Sequence, residues 1–282
     1  MNRSIYLKIQ LIMMGLVVCM SMQGQRKASR NKRADTLEVF RSFIELSNVY
    51  KKLPLYLEME LINSTNFITG EGDSSRIQAS FYMQPGRSYI RFGDAEQLVN
   101  DSMTLLVSDK LQRMILYSHA QPILQQMQAI NGMQWTDSSL TEMAKRFTAQ
   151  YTSPAENVTA IVLTGRNILY GTTLPKESVE LQYHPDTKEP IKVTTVKRTL
   201  LPLTEEDYNT LSSQGNIADK LITIEGKGHY LVKEQVGAFV YNKIGHDAGM
   251  AIPATIADRL VKNEQGEFTP VKAYEAYAVT LN

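Results

Sequence analysis

The stretch Pro54–Ile62, PLYLEMELI, alternates strictly: Leu55, Leu57, Met59 and Leu61 are apolar, and Tyr56, Glu58 and Glu60 carry polar groups between them. A period of two places the first set on one face of a strand and the second on the other, so one face is buried and one is wet. The same pattern returns in RIQASFYM, Arg76–Met83. There Ile77, Ala79, Phe81 and Met83 alternate with Arg76, Gln78, Ser80 and Tyr82. QPG, Gln84–Gly86, then reads as a turn into RSYIRF, so two consecutive strands are joined by a tight connection. Short turns between alternating strands predict antiparallel pairing, because parallel strands need crossover connections.

Upstream, Asp35–Lys52 has helical spacing. Asp35 and Glu38 have capping-box separation, and Leu37, Phe40 and Ile44 lie on one stripe with Phe43 and Tyr50 beside it. Pro54 bars helical continuation. Downstream, MTLLVSDKLQRMILY, Met103–Tyr117, reads as a hairpin tipped at Ser108–Lys110. Pro122 opens a helical region that includes SSLTEMAKRFTAQY, with Leu140, Met143, Ala144 and Phe147 on one side. SVELQYHPDTKEPIKVTTVKR is a hairpin turning at Pro185–Glu189. Thr204 and Asp207 start a short helix, two or three strands follow in DKLITIEGKGHYLVKEQVGAFVYNK, IPATIADRLV reads as a helical turn or a helix, and FTPVKAYEAYAVTL as a closing strand. No internal repeat interrupts this order. The expected class is α+β, with an antiparallel sheet covered by helices.

The first residues carry an address. Arg3 and Lys8 precede an apolar run, Ile9–Met22, of about 14 residues, shorter than the roughly 20 needed to span a bilayer. Residues 1–24 are expected to be a signal peptide cleaved after Gly24, giving a soluble exported protein of the periplasm with no membrane span. Cys19 is the only cysteine. It reads as a lipid anchor, as a reactive thiol, or as one more apolar residue of the leader. Val18 stands where a lipoprotein signal has a small residue, which favours the last reading. Residues 25–34 hold the basic run RKASRNKR, an arm ahead of a single domain expected over 35–282.

The whole chain has 30 basic and 29 acidic residues. That balance supplies no global field for nucleic acid. The four histidines, His119, His184, His229 and His246, show no metal-binding spacing, and no nucleophile elbow or phosphate loop occurs. His246–Asp247 is the pair most like a catalytic one, and a polar loop accounts for it far better. The sequence offers no catalytic residue, metal ligand or cofactor motif to build on.

The order of these segments from Asp35 to about Arg198 resembles the LolA-like periplasmic lipoprotein-carrier and lipid-binding family. The likeness lies in a helix leading into LYLEMELI, in ASFYMQPGRSYIRF, in the hairpin MTLLVSDKLQRMILY, and in the late hairpin VELQYHPDTKEPIKVTTV. The resemblance implies a curved, incompletely closed antiparallel β-barrel covered by helices, with an apolar cavity for acyl chains. It implies a non-enzymatic protein whose partners are an acyl chain, a lipid or a lipidated protein. Beside it stands a second reading, an envelope scaffold with a filled core and a protein partner. For the first reading the candidate lipid-binding residues are Phe40, Phe43 and Ile44 on the helix. Leu57, Met59, Leu61, Ile77, Phe81, Met83, Met103, Leu105 and Met114 on the early strands complete the set. Several are methionines, whose unbranched side chains adapt to flexible ligands. About 80 residues after Leu200 lie beyond the resemblance. They are expected either to add strands to the edge or to block the cavity.

Overall fold

The computed structural model describes residues 30–48, 52–70, 73–118, 137–214, 217–247 and 249–282. The chain divides into Met1–Ala34 and a compact unit, Asp35–Asn282. Residues 1–24, expected as a signal peptide with Cys19, and His119 and Pro122 lie outside the described residues.

Helix α1 spans Arg30–Ser47, α2 Asp137–Arg146 and α3 Glu205–Ser212. The first half of the unit supplies six strands: β1 (Leu55–Thr65), β2 (Ser75–Gln84), β3 (Arg87–Phe92), β4 (Ala95–Val99), β5 (Thr104–Ser108) and β6 (Arg113–Tyr117). The second supplies β7 (Phe147–Ala155), β8 (Val158–Gly165), β9 (Glu177–Tyr183), β10 (Pro190–Leu203), β11 (Leu221–Ile224) and β12 (Gly228–Gly245). Near the C-terminus come β13 (Leu260–Lys262), β14 (Phe268–Pro270) and β15 (Ala278–Leu281). Thirteen strands form one sheet in the order β15-β6-β5-β4-β3-β2-β1-β12-β10-β9-β8-β7, with β11 pairing β12, and β13–β14 are a separate hairpin. All pairs within the sheet are antiparallel except β15 with β6. The sheet ends at β15 and β7 and does not close. This is the curved, incompletely closed antiparallel barrel with helices that the resemblance implies.

The turn at Gln84–Gly86 forms where the sequence places it. Gly86 has φ of 75°, a left-handed conformation that favours glycine, and a Cβ there would push against Asp101 Oδ1 at 2.3 Å. Thr204 caps α3 by accepting from the Asp207 N–H at 3.1 Å.

Four local readings change. Helix α1 begins at Arg30, not at Asp35, since Arg, Asn, Lys and Ala tolerate helix and a capping residue does not oblige a start. It ends at Ser47, whose hydroxyl bonds back to the Phe43 carbonyl at 2.6 Å. Phe147–Tyr151 is strand, not helix: Phe147 pairs with Gly165 and Ala149 with Leu163, so sheet pairing overrides the apparent helical stripe. The segment FTPVKAYEAYAVTL is a short strand, a 3-10 turn at Lys272–Tyr274, and then β15.

The largest change concerns the segment after Leu200. Strand β12 is not peripheral. It pairs with β10 from Lys192–Val240 to Leu203–His229, and with β1 from Tyr56–Gly245 to Thr65–Gln235. It is the seam between the two halves. Strand β15 is added at an edge, and β11 pairs with β12 alone.

Register partners share a face of a sheet, so the two faces can be followed from strand to strand. On one face, Ile161 (β8), Leu181 (β9), Val193 (β10), Phe239 (β12) and Leu61 (β1) form a continuous row. Phe40, Phe43 and Ile44 of α1 and Leu140 of α2 pack on this row at the β7–β10 end. We call it the helix face. On the opposite face, Tyr89, Leu98, Leu105, Val107, Met114 and Leu116 are covered by Ala254, Ile256 and Leu260, with Phe268, Tyr274 and Tyr277 alongside. We call that the C-terminal face. The two cores therefore sit on opposite faces at opposite ends of the sheet.

Candidate functional site

The two faces sort the sequence candidates. Leu57, Met59, Leu61, Ile77, Phe81 and Met83 all lie on the helix face of β1 and β2, because Leu57 pairs with Phe81, Leu61 with Ile77, and Met83 with Leu55. Phe40, Phe43 and Ile44 belong to the packed core over β7–β10. Met103, Leu105 and Met114 are on the other face, in the core closed by the C-terminal segment. The structure thus brings six candidates together on one sheet surface, with the helix residues at its far end, and separates three from them.

Following the register from Leu57 exposes residues that no sequence pattern singled out. Leu57 pairs with Phe81, Phe81 with Ile90, Ile90 with Gln97, Gln97 with Leu106, and Leu106 with Ile115. Six strands therefore contribute one row across the helix face, apolar at every place but Gln97. Phe81, Ile90, Leu106 and Ile115 are half-buried and belong to neither core. From Leu57 to Ile115 the row crosses five strand spacings, about 24 Å. The neighbouring row runs Leu55, Met83, Ser88, Val99, Thr104, Tyr117.

The C-terminal segment is held away from this surface by a buried charge. Glu96 is 4% exposed on the C-terminal face. It accepts from Tyr89 Oη at 2.9 Å and Arg91 Nη1 at 3.4 Å, and its second oxygen meets Arg259 Nε at 3.0 Å. The Arg259 guanidinium also lies 4.8 Å over the Tyr274 ring. Tyr277 adds a bond to Asp109 Oδ1 at 3.0 Å. Burial first, and then the bond to Glu96, raise the Tyr89 phenol above its ordinary pKa. These contacts fasten residues 254–277 to β3–β5 and leave the helix face of the same strands clear of them.

Beside that lock, Glu58, Gln78, Ser80, Tyr82 and Arg91 line a polar groove of about 240 Å³ on the C-terminal face. Glu60 is tied to Gln78 at 2.7 Å and to Arg76 at 3.2 Å.

The remaining titrating candidates serve the fold. His246 Nδ1 is 2.9 Å from the Pro54 carbonyl, while Asp247 accepts from the Gly249 N–H at 2.8 Å, so each partner of that pair ties a different backbone group. His229 stacks on Tyr208 at 4.0 Å and lies between Glu205 at 2.9 Å and Thr223 at 2.8 Å, joining α3 to β11 and β12. Among the described residues no group of three His, Cys, Asp or Glu is placed to hold a metal ion, and no helix is long and apolar enough to cross a membrane.

At the end of β1 a second ion pair orders the connection to β2. Lys233, 5% exposed, bonds Asp73 Oδ2 at 2.6 Å, and the same oxygen accepts from the Thr69 N–H at 2.7 Å and the Thr69 hydroxyl at 2.9 Å. The Lys233 hydrogen bond, followed by those of Thr69, holds the Asp73 carboxyl far below the usual carboxylate range. A depressed folded pKa stabilises the protein above the unfolded value, near pH 4, and that stability is lost as pH falls below it. Urea unfolding from pH 6 down to pH 2 is expected to show a shallower acid loss in Asp73→Asn than in the wild type. Parallel curves would remove Asp73 from the acid response.

Compared with models of protein families and with curated proteins, the chain matches none. Among solved structures, the chain is similar to a domain described as lipoprotein-sorting from Vibrio parahaemolyticus, at 8% identity over 78% of this chain and 95% of that one, with a TM-score of 0.25. It is similar to an uncharacterized conserved protein from Thermus thermophilus, at 11% identity over 86% and 99% of the two chains, with a TM-score of 0.32. It is similar also to a LolA superfamily protein from Nitrosomonas europaea, at 10% identity over 73% and 93%, with a TM-score of 0.22.

Proposed function

We propose that this protein works outside the cytoplasm as a binding protein. It holds an acyl chain, of a lipid or of a lipidated protein, against the helix face of β1–β6, and it acts by binding rather than by catalysis. The observation that carries this reading is the row Leu57, Phe81, Ile90, Leu106 and Ile115. It is in register, nearly free of polar groups, half-open at four of its five apolar places, and outside both cores. The C-terminal segment lies on the opposite face, which agrees with this reading.

The dimensions support the same ligand. A row of about 24 Å exceeds the roughly 15 Å that an acyl chain spans in one leaflet of a bilayer whose hydrocarbon core is about 30 Å thick. Each methylene moved from water onto such a surface contributes about 0.8 kcal/mol when fully covered. Met59 and Met83, on the same face, supply side chains that adapt to a flexible chain. The sequence resemblance to a lipoprotein-carrier family and the apolar leader agree with this ligand and this compartment.

Native mass spectrometry of detergent-free protein is the direct test. A stoichiometric lipid mass that is displaced by a fluorescent fatty acid is the expected result. A clean unliganded mass, together with no uptake of the fluorescent fatty acid, would refute the proposal.

A further inference from the structure

The groove on the C-terminal face gathers polar groups that the fold leaves unused. Glu58 pairs with Ser80 and Ser80 with Arg91, so these three stand side by side across β1–β3, with Tyr82 two residues along β2 on the same face. All four line the groove. Among the described residues, no hydrogen bond or ion pair engages the Glu58 carboxylate, the Ser80 hydroxyl or the Tyr82 hydroxyl. Lys243 is the register partner of Glu58 in β12, but its ammonium rests 4.9 Å over the Tyr56 ring and forms no ion pair with that carboxylate. Glu58, Ser80 and Tyr82 are half-buried, so a small solute can reach them from water. On the far wall, Arg91 donates to the Gly93 carbonyl at 3.3 Å, to Glu96 at 3.4 Å and to Asp109 at 3.5 Å. These bonds are long, and a guanidinium carries more N–H donors than they use.

We infer that this groove binds a small zwitterion, whose primary ammonium donates to Glu58, Ser80 and Tyr82 and whose carboxylate or phosphate accepts from Arg91. The unused groups at one end are a carboxylate and two hydroxyls, all able to accept, and an ammonium has a donor for each. Arg91 fixes the other end. Its positive charge repels a second cation, and its planar fork matches an oxyanion. The span agrees. Glu58 and Arg91 are two strand spacings, about 10 Å, apart along the sheet. For side chains standing upright on the sheet, two hydrogen bonds of about 2.8 Å leave about 4 Å between ammonium and oxyanion, a separation that only a short molecule provides. The volume of about 240 Å³ gives room for at least about eight water-sized groups at about 30 Å³ each. This site lies across the sheet from the apolar row of Leu57 and Phe81, so it stands independently of acyl binding.

The test is calorimetric titration of the full-length protein at low ionic strength with two probes, phosphoethanolamine and L-alanine. At least one is expected to bind with one-to-one stoichiometry. It should bind at least about tenfold more tightly than ethanolamine, which lacks the anion, and than N-acetyl-L-alanine, which lacks the ammonium. Whichever probe binds more tightly identifies the anion as phosphate or carboxylate. Glu58→Gln is expected to weaken that probe at least about tenfold, because it removes a charge-assisted bond. Its melting temperature is expected to match the wild type, since Glu58 has no protein partner to lose. Absence of binding by both probes would overturn the inference. So would ethanolamine or N-acetyl-L-alanine binding as tightly as the better probe, or a Glu58→Gln protein that binds as the wild type does. A Glu58→Gln protein that melts well below the wild type would make Glu58 a structural residue and overturn it as well.

Discussion

Glu96→Ala is expected to destabilise the protein by about 3 kcal/mol, the low end for removing one member of a buried pair, because Arg259 is only partly buried. Arg259 would keep its place against the Tyr274 ring but lose the carboxylate that it meets at 3.0 Å, and the Tyr89 phenol would lose its acceptor at 2.9 Å. Urea unfolding measures the loss. Hydrogen exchange is expected to rise first in β13 and β15, because the pair fastens that segment to β3–β5 and little else charged does. The control is the double variant Glu96→Leu/Arg259→Leu. It removes both charges and should be less damaged than Glu96→Ala, since no orphaned ion remains. Equal damage in the two would mean that the contacts of Ile256 and Leu260, not the ion pair, hold the segment. Lipid binding on the opposite face should survive in whatever fraction stays folded.

Leu106→Glu is expected to weaken binding of an acyl probe by at least about a hundredfold. The new carboxylate would sit mid-row, between Gln97 and Ile115, and a chain laid over it would bury a charge with no partner. A penalty of about 3 kcal/mol corresponds to roughly that factor in Kd. Leu106 is half-buried, so the free protein can leave the carboxylate in water, and its fold should tolerate the change better than its ligand does. The companion Leu105→Glu separates the faces. Leu105 is fully buried on the C-terminal face, and a charge there should unfold the protein rather than merely empty it. A Leu106→Glu protein that binds the probe as the wild type does would move the site off this row.

Much of the fold can be read locally. The alternation in β1 and β2, the glycine turn between them, the hairpin at Pro185–Glu189 and the Thr204 cap are each specified by residues a few places apart. Local reading fails where a distant strand decides the outcome. Phe147–Tyr151 carries a helical stripe, but β8 offers it a ladder, and the ladder wins. The site is legible to the same depth. Leu57, Met59, Leu61, Ile77, Phe81 and Met83 follow from strict alternation in two long strands. Ile90, Leu106 and Ile115 come from strands of five or six residues, where a period of two has too few repeats to mark a face.

The sequence by itself determined the antiparallel sheet, its early turns, and the division of each strand into two sides. These depend on side-chain period and turn chemistry, which are properties of neighbouring residues. It did not determine that Met103, Leu105 and Met114 lie on the side opposite to Leu57 and Phe81, nor that β12 stands at the centre of the sheet, nor that the C-terminal segment seals one face and leaves the other. Alternation says that a strand has two faces without saying which face of the next strand continues it. Only register links them, and a shift of one residue exchanges every side chain. The pairing of Leu57 through to Ile115 and the ion pair of Glu96 with Arg259 are therefore tertiary facts.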